Sequence, residues 1–554
     1  MNLLPYCSED EEDEEDEAAM DGGDDWPTVA AAAEARMGLC GRSGGGLLLG
    51  DPEAAGGSAG PSGSLYGHRG ADRAAAAFAG MPGAWRGAMR PSGEPEAVHA
   101  DVWSEDEEEE ADTTAEQFYA AEHPKDIQGI PWERLQFDRS TYRDTRLRQY
   151  RNYTNVLPDD DGGAYRAELA PLCAAPRRGI TAGVAPPGAS GPPFFAFVRN
   201  SRSVQSNIVH FQLRNLVWAV SPNDVYVVHD NCINHWNPTS RMISEVLCLN
   251  GSGGNLDFGG GGAGGRAGAS SRLMGLGRVQ VSTMCVAGDL VAAGGFVGEL
   301  VVRRLRGEDG QQGRKADAGP GGPVQGKLLH CGRITSSDNG ITNGLEIFSH
   351  PTHGTVVMAA NNDSQLRLFA VAPGEGSLRP LASWPFDWAV NYATVRPGGG
   401  ASLAAVVGDD PATLLTDVHN GVTVARLQGH RDFSFAAAWH PGGTLLATGN
   451  QDTTTLLWDV RRTDEPLTRL AGRMGAIRSL RFSPDGRFLA MSEPADFVHI
   501  YDVASGFLHC QEHDFFGEVA GISFTPDSSS LFVGVSDLTY ASLMHLERQR
   551  CEWQ

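Results

Sequence analysis

Residues 429–461 read GHRDFSFAAAWHPGGTLLATGNQDTTTLLWDVR, and this stretch decides the fold. FSFAAAWHP (433–441) is an apolar run closed by His440-Pro441. TLLATGN (444–450) is a second run, TTLLWDV (454–460) a third and LTRLAG (467–472) a fourth. Each is too short for a helix and is bounded by Pro, Gly, Asn or Asp. The runs are continuously apolar rather than alternating, the pattern of strands covered on both faces.

Moving outward, the closing turn recurs. It appears as Ser221-Pro222, His350-Pro351, Arg396-Pro397, His440-Pro441, Ser483-Pro484 and Thr525-Pro526. The last four intervals between these prolines are 46, 44, 43 and 42 residues, while the first is 129. That long interval holds one more repeat, VSTMCVAGDLVAAGGFVGELVVRRL (281–305), and Gly-rich insertions near 251–271 and 307–326. First strands are expected near 213, 280, 341, 389, 433, 476 and 518. A period of roughly 40–45 residues with four strands per unit predicts an all-β, seven-bladed propeller over 194–545. The seventh unit lacks a clear fourth strand. The orphaned run Ile208–Gln212 is the sequence's candidate for it, closing the ring and removing two open edges.

Ahead of the body, the composition changes. Residues 1–123 carry 28 Asp+Glu against 6 Lys+Arg, a net of −22 out of the chain's −25, so the remainder is nearly neutral. Nine acids in a row (9–17), six more (105–110) and Ala/Gly/Pro/Ser between them predict a disordered acidic arm. Ser8 and Ser104 each stand before an acid run and are candidate phosphosites. The sign of the charge argues against nucleic acid. A basic, aromatic segment spans 124–157, with Arg139, Arg143, Arg146, Arg148 and Arg151 beside Tyr142, Tyr150 and Tyr153. Arg143, Leu147, Tyr150 and Arg151 fall at helical spacing, which reads as a helix docked on the body, held by a partner or touching RNA. Residues 158–193 read as a Gly/Pro-rich linker.

Gly429-His430, Asp452 and Trp458-Asp459 resemble the WD repeat, and the resemblance implies a structural tetrad of His430, Thr448, Asp452 and Trp458. The sixth unit keeps Asp496 and Tyr501-Asp502 without Gly-His, so its blade is expected to rely on packing. The strings FQLRNLVWAVSPNDVYVV, GHRDFSFAAAWHPGG and DFFGEVAGISFTPD, with IQGIPWERL ahead of the body, resemble a group of plant and fungal WD-repeat proteins. That likeness implies a fold and no activity. The family's top face is rimmed by the loops before first strands and between second and third strands. Candidate partner-binding residues there are Trp384, Trp388, Arg431, Phe433, Arg473, Phe515 and Phe516, with Asp387, Asn391, Met474, Glu493 and Asp537 beside them. Aromatics with arginine are common interface anchors, but they also read as packing between blades. LATGNQDTTTLLWDVR (446–461) resembles the box by which some WD-repeat proteins bind the adaptor of a cullin-RING ubiquitin ligase; Asp459 and Arg461 are its candidate contacts.

Catalytic signatures are missing from the sequence: there is no HExxH, GxSxG or P-loop, and Asp409-Asp410-Pro411 has turn composition. No metal-ligand spacing and no cofactor motif is found, no run of 18 apolar residues predicts a membrane span, and the start lacks a signal-peptide pattern. Nine scattered cysteines without a CxxC pair read as free thiols in the nucleus or cytoplasm. The expectation is a monomeric propeller that works as a non-enzymatic protein-interaction scaffold, with ligase receptor as the alternative.

Overall fold

The computed structural model describes residues 112–150, 162–173, 178–180, 193–250, 276, 278–305, 326–372, 377–398 and 402–549. The acidic arm through residue 111, with Ser8 and Ser104, lies outside the described residues. So do the insertion near 251–271, all but the last residue of that near 307–326, and most of the expected linker.

Seven four-stranded antiparallel blades begin at Val217, Val281, Thr342, Val390, Ser434, Ser479 and Glu518. The first strand of each blade lies against that of the next, and the seventh returns to the first, which makes a closed ring. Core layers form between blades rather than within them. Trp439, Leu446, Leu456 and Trp458 of blade five pack on Tyr392, Val407 and Leu415 of blade four. Both faces of each sheet are covered in this way, which explains the continuous apolar runs. Cys510–Phe524 is one long strand shared by two blades: its start pairs with Ala495–Asp502 in blade six, its end with Ser530–Ser536 in blade seven.

Ring closure corrects the sequence reading. The fourth strand of blade seven is Phe195–Ser201, which pairs with Ser542–Arg548. Residues 208–212 form bends and turns, and Phe211 stands 46 % exposed. The alternation of Phe195 and Phe197, both buried, with half-buried Ala196 and Val198 fits an edge strand with one face on the core.

The N-terminal boundaries also differ. Residues 112–123, assigned to the arm from sequence, fold onto the body. Thr113–Thr114 pairs with Arg199–Asn200 of the closing strand, and helix α1 (Ala115–Phe118) buries Phe118 against Phe197 at a centroid distance of 4.9 Å. The acid block ends at Glu110, and the apolar anchor that follows supplies the burial that an acidic tail lacks. Helix α2 (Arg139–Gln149) is capped by Asp138, whose Oδ1 accepts the Thr141 N–H at 2.7 Å. The expected linker contains helix α3 (Gly162–Cys173) and a short strand, Arg178–Ile180, parallel to Cys510–Phe524. Not all cysteines are free: Cys232 and Cys248, register partners in blade one, form a disulfide. Among the described residues, no helix is long and apolar enough to cross a membrane.

Candidate protein-interaction surface

Two buried polar networks fix the loops of the top face. In blade five, Trp458 Nε1 donates to Thr448 Oγ1 at 2.9 Å, and the His430 ring bridges Thr448 Oγ1 (2.9 Å) and Asp452 Oδ2 (3.0 Å). Asp452 also accepts the Arg431 N–H, the Thr454 N–H and the Thr454 hydroxyl. Burial pushes the Asp452 carboxyl up, but His430 and these donors more than offset that, so it lies below its ordinary range. They also hold Thr453 at φ 70°, a conformation unusual for a β-branched residue.

Blade six is rebuilt rather than left to packing. By register Tyr501 takes the place of Trp458, Met491 that of Thr448 and His499 that of Leu456. The residue aligned with Asp452 is then Ala495, and Asp496, like Thr453, is the left-handed turn residue. The buried carboxylate is Glu493, which accepts the N–H groups of Arg473, Met474 and Gly475 at 2.6–2.7 Å. His499 lies between Glu493 (2.8 Å) and Glu512 (3.2 Å), and Arg473 Nε donates to Glu512 at 2.6 Å. Both ring nitrogens face carboxylates, an arrangement that the doubly protonated imidazolium satisfies. Burial would raise the Glu512 carboxyl, yet His499 and Arg473 hold it well below the usual range.

Asp496 is thereby freed to point at residues 126–150, an N-terminal strap that lies on blades six and seven. It accepts Arg143 Nη1 (2.7 Å), Arg146 Nε (2.8 Å), Arg146 Nη2 (2.7 Å) and the Gly517 N–H (3.0 Å). Gly517 makes that bond at φ 131°, where a Cβ would collide with Val535. Asp514 accepts Arg139 at 3.0 Å and also Arg143, and the Phe515 carbonyl accepts Arg143 Nη2 at 2.6 Å. The Phe516 ring lies under the Arg143 and Arg139 guanidiniums at 4.2 and 4.9 Å, beside Trp132 and Tyr142. Gln128 exchanges two hydrogen bonds of 2.6 Å with the Phe516 backbone. Asp126 braces the segment from within, accepting from Trp132 Nε1 at 2.9 Å and lying 3.4 Å from Arg139 Nε.

The docked helical face therefore runs 139, 143, 146, 150, whereas the sequence reading put Leu147 on it; Leu147 is exposed. Phe515 and Phe516, expected as partner contacts, are buried under the chain's own strap. Arg431 is also engaged. Helix α3 places Glu168 3.1 Å from its guanidinium and 2.6 Å from that of Arg469, and Tyr165 donates to the Asp452 carbonyl. Trp384 is buried and packs against Gly421, where a Cβ would collide with the indole, so it serves inter-blade packing. Arg473 is committed to Glu512. Asn391 is buried between Asp409 (2.9 Å) and the Ser434 carbonyl, and Asp537 accepts the N–H groups of Thr539 and Tyr540.

Among the described residues, the sector from the junction of blades three and four to the near edge of blade five stays more open. Half-buried Phe386 and Trp388 lie 5.4 Å apart, with Trp388 over Gly408, exposed Asp387 between them and half-buried Phe433 in the loop before blade five. Burial, and after it the charge of neighbouring Asp432, push the Asp409 carboxyl up. On the opposite face, Arg461 extends from the third strand of blade five with its side chain 71 % exposed. Its Nε and backbone N–H donate to Asp459 Oδ1 at 2.8 and 3.0 Å and hold that carboxyl down at about 2. Sequence reasoning missed Gln128, Phe497 and Thr454, and it read Glu493 as a surface contact where the structure buries it; the spacing of Arg139, Arg143 and Arg146 was the one signal that pointed to the strap's contact face.

Comparison with known proteins agrees with this architecture. The family "WD domain, G-beta repeat" matches residues 421–459, the blade carrying the full tetrad. The chain is 25 % identical over 211 residues to pre-mRNA-processing factor 19 homolog 2 of Arabidopsis thaliana, covering 37 % of this chain and 39 % of that protein. It is 33 % identical over 121 residues to small ribosomal subunit protein RACK1y of Oryza sativa subsp. japonica, covering 21 % and 35 %. The matched stretches thus span well under half of either relative. A chain from a crystal structure of the mitotic checkpoint complex aligns with a TM-score of 0.46 at 16 % identity, over 66 % of this chain and 98 % of that one.

Proposed function

The chain belongs to the WD-repeat β-propeller family, and from that premise we propose that it is a non-enzymatic protein-interaction scaffold whose open top-face sector receives a basic segment of a partner. The carrying observation is the surface of blades six and seven. There an aromatic ring flanked by aspartates, Phe516 with Asp496 and Asp514, binds an arginine-bearing helix. The sector over blades three to five presents similar chemistry, Phe386 and Trp388 with Asp387, and no described segment of the chain covers Asp387. The buried pairs His430–Asp452 and His499–Glu493 are sealed from solvent and hold loops, so they serve structure rather than substrate. Cys285, Cys331 and Cys510, which form no disulfide, favour a reducing compartment, nucleus or cytoplasm. Affinity purification of the full chain, read by mass spectrometry, tests the reading. Partners should co-purify with the wild type and be lost with Asp387→Lys and Trp388→Ala. Partners indifferent to both changes contradict it.

A second reading, substrate receptor of a cullin-RING ligase, is favoured by the exposure of Arg461 and its fixed orientation on Asp459. A guanidinium presented in this way suits a carboxylate-rich adaptor loop. Arg461→Ala should leave the melting curve unchanged and abolish adaptor co-purification. Adaptor binding that survives Arg461→Glu removes this reading while leaving the scaffold intact.

A further inference from the structure

Blade one carries a cluster that neither its packing nor the top face uses. Cys232 opens the third strand (Cys232–Asn237) and Cys248 ends the fourth (Met242–Cys248), directly opposite each other with Cα atoms 4.1 Å apart. The register then slips: Ile233 faces Leu247, but Asn234 faces Glu245, so Val246 is an extra residue on the fourth strand. Without this bulge, strict alternation would send Glu245 to the face away from Cys248. With it, Glu245 shares the face of both cysteines, while Val246 and Leu247 are buried. A Glu245 carboxylate oxygen and the two sulfurs lie within 4.8 Å of one another. Asn250 Nδ2 is 3.5 Å from Cys232 Sγ and 3.6 Å from Cys248 Sγ, a donor positioned for charge on sulfur. The cysteines are partly exposed and Glu245 is exposed, so an ion can reach them.

We propose that, in the reduced chain, Cys232, Cys248 and Glu245 bind a thiophilic divalent cation of the zinc class, and that the disulfide is the oxidised, metal-free state of the same site. Two thiolates and a carboxylate provide three ligands of a tetrahedral set, leaving the fourth position to water. Asn250 is the outer-shell donor that such thiolates use. Oxidation by a peroxide balances. The two metal–sulfur bonds and the O–O bond of hydrogen peroxide break, and one S–S bond forms. The two thiolates give up two electrons, two protons are taken up, and the free cation and two waters leave. A disulfide reductant reverses the change, so the site couples metal occupancy to redox poise.

The test uses the full chain, reduced with a phosphine, stripped of metal and titrated with Zn2+ against a chromophoric chelator. One equivalent should bind in the wild type and be absent from Cys232→Ser/Cys248→Ser and from Cys248→Ser alone, with circular dichroism confirming that each variant is folded. Glu245→Gln should weaken binding no less than the ~10–100-fold that follows loss of an outer-shell partner. Co2+ should give thiolate-to-metal charge-transfer absorption that disappears in the serine variants. Stoichiometric hydrogen peroxide should release the ion while two thiols are consumed. An equal Zn2+ equivalent in the double serine variant overturns the site, as does no Zn2+ uptake by the reduced wild type. Unchanged affinity in Glu245→Gln overturns the three-ligand assignment.

Discussion

Arg143→Ala tests how the strap is held. The guanidinium of Arg143 is buried between the Phe516 and Phe497 rings at 4.2 and 4.6 Å, and donates to Asp496, Asp514 and the Phe515 carbonyl. Stripping a buried ion pair of one partner costs ~3–5 kcal/mol when the remaining charge is left alone. Here neither carboxylate is left alone: Asp496 keeps Arg146 and the Gly517 N–H, and Asp514 keeps Arg139. What is lost is the donor to the Phe515 carbonyl, about 1–3 kcal/mol when the acceptor stays buried, and a desolvated cation–π contact worth ~1–2 kcal/mol. The expected destabilisation is therefore about 2–5 kcal/mol, read as a shift of the urea midpoint of the full chain by tryptophan fluorescence. Trp132, 5.2 Å from Phe516, reports the strap directly. Arg143→Lys should recover only part, because an ammonium cannot reproduce the fork onto two carboxylates. Exposed Arg148→Ala is the control and should stay within ~0.5 kcal/mol. An Arg143→Ala midpoint equal to that of Arg148→Ala refutes the strap as a bound element.

Further outcomes follow from the same geometry. A chain beginning at residue 112 should melt like the full chain, whereas one beginning at 124 loses buried Phe118 and should be destabilised by at least the ~3–5 kcal/mol of a Phe-to-Ala change. A chain beginning at 202 lacks the closing strand and should aggregate in light scattering, because the edge of Ser542–Arg548 is then unpaired. Trp458→Ala should cost ~3–5 kcal/mol in chemical denaturation. His430→Ala should cost about 1 kcal/mol, since Asp452 keeps Thr454 and two backbone donors. Burial pushes the Glu346 carboxyl, which accepts the Val395 N–H, up to about 8 from 4.5. Its folded value is raised, so its contribution is full below about 4.5 and lost as pH rises toward 8. Glu346→Gln should remove that slope and gain stability over wild type by a few kcal/mol at pH 8; parallel pH profiles refute it.

The blades were legible because each needs the same four apolar runs and the same Pro/Gly turn, and a fault in one unit is corrected by its neighbours in period. Closure was misread because Ile208–Gln212 looks as apolar as an interior strand, while Phe195–Ser201 alternates as an edge strand must. The blade-six network was hidden because its carboxylate moved from the Asp452 position to Glu493, two residues earlier in the turn, and its histidine from loop to strand. The strap was half legible. Arginines at 139, 143 and 146 mark one helical face, but only tertiary contacts show that Asp496 and Asp514, distant in sequence, lie beneath it. The top-face aromatics could not be sorted by type, since Trp384 and Phe516 are covered while Trp388 stays half open.

Hydroxyl-radical footprinting of the full chain, free and in complex with its co-purified partner, tests the binding role most directly. The account predicts new protection at Phe386, Trp388 and Phe433, with Trp132 and Phe516 shielded in both states. Protection confined to the Arg461 face, with Phe386 and Trp388 equally reactive in both states, would contradict it.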